Sequence, residues 1–348
     1  MSTSTTPLAS AREHDHRPKS ALTVRRAHAL TAGRWLLATI AIVAPVFVFS
    51  TLITFLLGAA SGLNPAAGIA GDEASPETIA RINAEFGLDL PVWQQYLNWM
   101  AGIFTGDLGL SWFNKVPVSE LIAQRLAVSA SVAGLALVLG IVFGALLGLA
   151  AALKQGSWLD RGVTAFTSIV STLPPFVLSI GLIIVFSLWL RVLPSAGYVP
   201  PTQNVGKWFS LILMPALALS VDVVADIARQ LRTGMVDALQ QNYITGAVVR
   251  GLSRPRILFV HALRNGSSPA LAILGMKIPA LVGGAVVTET IFTMPGFGTL
   301  SASSALRGDV PVVQGTLVVA IIFVLVSSVL INIVQGGLQP ATRRRGQQ

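Results

Sequence analysis

The stretch "VAGLALVLGIVFGALLGLAAAL", residues 132–153, contains no charged or hydrogen-bonding side chain. A run of this length is what a helix needs to cross roughly 30 Å of hydrocarbon, and a helix satisfies its own backbone N–H and C=O groups, as a bilayer interior demands. Read outward, the quoted run belongs to a longer apolar segment at 127–153, and five others follow the same pattern at about 35–57, 163–190, 208–228, 269–292 and 312–334. Composition agrees, with 53% hydrophobic and 11% charged residues and a mean hydropathy of +0.70. The sequence therefore predicts an all-α integral membrane protein with six transmembrane helices, whose even number puts both termini on one side.

Arginine and lysine decide which side, because positive charge is retained in cytoplasmic segments. One side collects Arg12, Arg17, Lys19, Arg25, Arg26 and Arg34, then Lys154 and Arg161, then Arg229, Arg232, Arg250, Arg254, Arg256 and Arg264, and finally Arg343 to Arg345. That is most of the 24 basic residues, so both termini are expected in the cytoplasm. The pI near 10.8 then reflects orientation against anionic lipid of the bilayer, and no nucleic acid is needed to explain it. The layout predicts a disordered cytoplasmic tail over 1–33, a permeation domain over 34–338 and a basic tail over 339–348. A mostly polar stretch precedes the first span, which reads as a retained helix and not a cleaved signal. The chain has no cysteine, which excludes thiolate catalysis and cysteine-ligated metals.

The loop over 58–126, expected outside, has local structure of its own. In "SPETIARINAEFG" Ser75 is a helix N-cap, Pro76 the first helical residue, Glu77 a charge near the positive end of the dipole, and Gly87 a C-terminal glycine. A small external helical cap follows. Trp93, Tyr96 and Trp99, three apart, read as a stripe suited to a membrane interface or to packing of that cap.

Between the fourth and fifth spans lies "YITGAVVRGLSRPRILFVHALRN", residues 243–265, with four arginines and no acid. Tyr243 to Arg250 can form a short helix ended by Gly251, and Ser253 with Pro255 can start a second. The loop over 236–265 is thus read as helix, glycine turn, helix, with Arg250, Arg254 and Arg256 outward.

These residues resemble the cytoplasmic coupling-helix loop of ABC-transporter permeases of the dipeptide/oligopeptide/nickel importer family. Tyr243, Ala247, Arg250, Gly251, Leu252, Ser253 and Arg254, followed by "HALRN" at 261–265, stand in the matching places. "GLDLPVWQQY" (87–96), "GDLGLS" (106–111), "LPSAGY" (193–198), "ETIFTMPGFGTL" (289–300) and "RGDVP" (307–311) resemble further motifs of that family in the same order. Departures are "SGLNPA" at 61–66, Thr245-Gly246 in the loop and Gln339-Pro340 near the end. The resemblance implies a permease subunit in a bacterial cytoplasmic (inner) membrane that moves peptides or similar small solutes by alternating access. It also implies a second homologous permease subunit, ABC ATPase subunits and an extracytoplasmic substrate-binding protein. No G-x-x-x-x-G-K-[ST] phosphate loop occurs in this chain; ATP and Mg would be bound by the partner ATPase subunits, and no cofactor, metal site or catalytic residue is assigned here.

Charges within the spans mark the candidate substrate path. Asp222 and Asp226 lie four apart on one face of the fourth span, with Lys277 in the fifth and Glu289 near its end. A charge at the bilayer centre costs about 2.5–3.5 kcal/mol even on the lenient insertion scale, so such groups need a partner or a wet cavity. Asp226 can pair with Arg229, whereas Asp222 is open to a cationic substrate group or to a bridge with Lys277. Pro174, Pro175 and Pro215 interrupt helix ladders. An ion-coupled secondary transporter would also use intramembrane carboxylates, but has no need of a basic hairpin.

Overall fold

The computed structural model describes residues 21–61, 65–71 and 75–338. Tail residues 1–20 and 339–348, including Gln339-Pro340, and three residues of "SGLNPA" lie outside them. By internal contacts the chain divides into residues 1–50 and 51–348. The described residues are helical apart from turns and one isolated bridge, Leu110 with Pro117.

Helix α1 spans Ala21–Ala60. It therefore covers 21–33, where the sequence reading expected a disordered tail; alanine and leucine recur through that stretch, and both are strong helix formers. Three short helices follow: α2 (Pro65–Ala70), α3 (Pro76–Glu85) and α4 (Val92–Thr105). The caps on α3 are those expected. The Ser75 side chain accepts from the Thr78 N–H, and beyond the C-cap Phe86, Gly87 takes φ +65° while Leu88 N–H donates to Asn83 C=O at 2.8 Å.

Helix α5 runs over Val118–Leu153, nine residues before the expected start, because Pro117 begins it and no breaker follows. The loop before it is correspondingly shorter than 58–126. The third expected span, 163–190, is not one helix. It consists of α6 (Trp158–Val170) and α7 (Pro175–Leu182), continued by a π-helical stretch Ile183–Trp189, and the two parts meet at 100°. Consecutive Pro174 and Pro175 cause the break, since each removes a backbone donor and disfavours helical geometry before it.

Helix α8 is long, Val205–Leu239, and carries Pro215 within it. Arg229 and Arg232, placed in a loop by the hydropathy reading, are inside this helix. Short helices α9 (Asn242–Val249), α10 (Arg254–Arg256) and, after a π-helical stretch Ile257–Ala262, α11 (Leu263–Gly266) lead to α12 (Ser268–Ile291). Then come α13 (Phe297–Arg307) and α14 (Val310–Leu338). Among the described residues four helices are long and apolar enough to cross a membrane, and up to six spans result if each bent pair counts as one.

Helix α8 is the axis of the unit after Ser50. In its most apolar window 72% of residues are buried, against 11% in α14. Its buried side includes Ile212, Met214, Val223, Ile227, Leu231 and Met235. Against it lies α5, whose Gly140, Gly144 and Gly148 recur every fourth residue on one helix face. An added Cβ at Gly144 would stand 2.8 Å from Ile227 Cβ, and one at Gly148 2.7 Å from the Ala228 carbonyl oxygen. The glycines thus let two membrane helices approach to backbone contact, which is how helices associate where lipid is as apolar as the side chains.

Candidate functional site

The hairpin between α8 and α12 has the expected form. After the α9 C-cap Arg250, Gly251 takes φ +75°, Gly251 N–H donates to Val248 C=O at 2.9 Å and Leu252 N–H to Ala247 C=O at 3.2 Å. This pair of bonds satisfies the last carbonyls of α9 and requires a left-handed residue, which glycine supplies without a Cβ penalty. Ala247 and Ile244 are buried and Leu252 packs on the same core, so one side of the hairpin is fixed to the bundle. The other side presents Tyr243, Val248, Val249, Arg250, Ser253 and Arg254 to the surface, with Val249 81% exposed. Apolar and cationic groups share this exposed side, which carries no acid.

The intramembrane charges gather where α8 faces α12. Lys277 Nζ lies 2.5 Å from Asp222 Oδ2 and 2.6 Å from Asp226 Oδ2. Asp226 also pairs with Arg229, whose Nη1 donates to Ser171 Oγ at 3.1 Å. Between Leu211 and Ala228 every residue of α8 is at least partly covered except Asp222. Of the two alternatives for Asp222 the bridge to Lys277 is the one present, and its side chain is also about half exposed.

Glu289 departs from the expectation of a path-lining carboxylate. It is 1% exposed. Ser129 Oγ donates to Glu289 Oε1, Phe297 N–H donates to Ser129 Oγ at 2.7 Å, and Thr299 N–H donates to Glu289 Oε2 at 2.9 Å. The carboxylate thus caps the N-terminus of α13 and ties it to α5, a favourable place for negative charge. Gly296 is required beside it, since any Cβ there would overlap the carboxyl group. Glu289→Ala would leave buried donors without an acceptor, each costing about 1–3 kcal/mol. The expected result is a lowered melting temperature of the purified protein, largely restored in Glu289→Gln; equal stability of the Ala variant would refute the cap.

Hydropathy and charge counting missed three further contacts. Arg232 makes a two-pronged pair with Asp160, Nε to Oδ1 at 2.5 Å and Nη2 to Oδ2 at 2.7 Å, and Gly156 N–H donates to the same carboxylate. Ser111 Oγ donates to Asp309 Oδ2 at 2.5 Å and Trp112 N–H to Oδ1 at 3.2 Å, joining "GDLGLS" to "RGDVP"; both motifs were visible, their contact was not. Burial pushes the Asp309 carboxyl above the ordinary carboxylate range, against the pull of the Ser111 hydroxyl and backbone donors. A raised folded-state pKa favours the neutral acid, so its stabilisation is complete in acid and is lost as pH rises through the raised value. Melting temperature measured from acidic to neutral pH should show this fall, and Asp309→Asn should flatten it. Finally, the aromatic stripe on α4 is not one face. Tyr96 is buried against Phe55 and bonded to Thr51, while Trp93 is exposed, because steps of three residues drift by about 60° each around a helix.

Comparison with known families decides the class. A model described as "Binding-protein-dependent transport system inner membrane component" matches residues 140–344, and its N-terminal companion matches 34–133. The chain belongs to this family. Among its relatives, a Brucella abortus (strain 2308) protein whose name assigns it to a peptide transport system permease is 38% identical over 299 residues, 86% of this chain and 95% of that protein. The dipeptide transport system permease protein DppB of Escherichia coli K12 is 31% identical, covering 90% of this chain and 99% of DppB. A solved structure of the MetNI methionine ABC transporter in an inward-facing conformation has a chain that matches with TM-score 0.52 at 16% identity, over 63% of this chain and 97% of that one. That likeness concerns the fold. This membrane component is a multi-pass permease subunit of an ABC transport system.

Proposed function

We propose that this permease subunit imports peptides, di- or oligopeptides, as part of an ATP-driven complex in the cytoplasmic membrane, with both termini in the cytoplasm. The observation that carries the reading is the basic, acid-free hairpin of α9 to α11, pinned to the bundle by Ala247 and Leu252 and projecting Val249, Arg250 and Arg254. A rigid knob at the junction of two long helices is a mechanical input, and a separate ATPase subunit supplies the closure that moves it. The peptide substrate is supported by the names of the relatives, and a second permease, ATPase subunits and an external binding protein by the family's description as binding-protein-dependent. The cap of α2 to α4, which the charge asymmetry of the sequence puts on the outer side, is the surface assigned to that binding protein, with exposed Trp93 and Leu97 as contacts.

The test is uptake of a labelled alanine dipeptide and an alanine pentapeptide into proteoliposomes holding the co-expressed complex. Uptake that requires both ATP and binding protein supports the proposal. Accumulation driven by a proton or sodium gradient without ATP would replace it with the ion-coupled reading.

A further inference from the structure

We infer that Asp222, Lys277, Asp226, Arg229 and Ser171 form an ionic strap that makes the two helices flanking the hairpin and the elbow of the broken span move as one body. The inference rests on the coupling role proposed for the hairpin. Helix α8 enters the hairpin and α12 leaves it, and Lys277 on α12 grips α8 at two carboxylates one turn apart, at 2.5 and 2.6 Å. One ammonium held between two carboxylates a turn apart resists sliding along α8 in either direction, where a single partner would resist only separation. Asp226 lies 13 residues before the end of α8 at Leu239, or about 20 Å at 1.5 Å per residue, so the two arms are pinned well away from the hairpin itself.

The strap continues sideways. Arg229 joins Asp226 to Ser171, the C-cap of α6, at the point where that span turns through 100°. The other end of α6 is held by the same face of α8, since Arg232, three residues beyond Arg229, grips Asp160 near the helix start. Helix α6 is thus fastened to α8 at both ends, and α8 to α12, by charges that balance: Lys277 and Arg229 against Asp222 and Asp226. Packing alone holds helices together and lets them shear by small steps; shear here would part the mostly covered Lys277 and Asp226, and leaving such charges unpaired is costly. A displacement of the hairpin is therefore delivered to the α6–α7 elbow and is not absorbed between α8 and α12.

The native chain has no cysteine, so spin labels can be placed at Ala272→Cys on α12 and Ala165→Cys on α6, both exposed. In the assembled complex the distance between them should be single and unchanged between nucleotide-free and ATP-bound states. Lys277→Met, which keeps length and removes charge, should broaden or split it on ATP binding, and solute moved per ATP hydrolysed should fall about tenfold, the range of a typical coupling element. Lys277→Arg should restore both, because its fork can span two carboxylates. Should Lys277→Met fail to assemble, the apolar set Asp222→Leu, Asp226→Leu, Lys277→Met and Arg229→Met strands no charge and carries the same expectation. An unaltered label distance and unaltered transport per ATP in either variant would overturn the strap. Deletion of the hairpin serves as the control: if that chain still transports with ATP, the coupling reading has failed and not the strap alone.

Discussion

Gly251→Pro is expected to reduce ATP-driven uptake to background while the chain still inserts and accumulates in the membrane. Gly251 has φ +75°, and a proline ring holds φ near −65°. The substitution also removes the Gly251 N–H that donates to Val248 C=O. Both effects fall on the turn that sets the angle between α9 and the following helices. The spans themselves do not depend on it, so insertion continues. Gly251→Ala, which faces only the penalty of about 1–2 kcal/mol for a left-handed alanine, with nothing within 4 Å of the added Cβ, should retain partial uptake. Deletion of residues 247–255 should match the proline variant. Measuring uptake and ATP hydrolysis together in proteoliposomes checks this, and normal substrate-stimulated hydrolysis with normal uptake in the deletion would show that the hairpin is not the input.

The second large effect is expected at Gly148→Leu, which should prevent a stable fold. An added Cβ there would sit 2.7 Å from the Ala228 carbonyl oxygen and 3.1 Å from Leu231 Cβ, so the central helix pair must separate before any larger side chain fits. Overpacking of a well-filled core typically costs about 1–3 kcal/mol, and a backbone obstacle puts this case at the upper end or beyond. Because the whole margin of stability of a domain is about 5–15 kcal/mol, the expected readout is loss of most monodisperse protein after extraction in detergent. An added Cβ at Gly134, on an exposed part of the same helix, meets nothing within 4 Å, and Gly134→Leu should be extracted normally. Equal yields of the two variants would show that α5 and α8 do not pack as described.

Much of the site was legible because it is local. The turn at Gly251 and the caps at Ser75 and Gly87 depend on residues within one or two helical turns, so their chemistry is written in consecutive letters. The break at Pro174 and Pro175 was legible as an interruption, but its 100° angle was not, since the angle depends on what α6 and α7 pack against. Counting Arg229 and Arg232 as loop residues failed for a related reason: hydropathy locates the lipid boundary of a helix by its charges, and here the charges are neutralised by Asp226 and Asp160 inside the bundle. Glu289 was assigned to the path because a carboxylate near a span is costly, yet the same cost is met by Ser129 and the N-terminus of α13.

The sequence by itself determined that this is a helical membrane protein, roughly where its apolar segments fall, and that a basic helix, turn, helix unit sits between two of them. Span length, charge asymmetry and cap chemistry are properties of short segments measured against a bilayer of known thickness. Only the tertiary structure decided that Lys277 holds Asp222 across 55 residues, that Arg232 holds Asp160 across 72, and that Glu289 meets Ser129 across 160. Each of these requires a particular pair of helices to be neighbours at a particular rotation. That arrangement is set by small residues such as Gly144 and Gly148 admitting Ile227 and Ala228, a matter of shape between distant segments that no local pattern records.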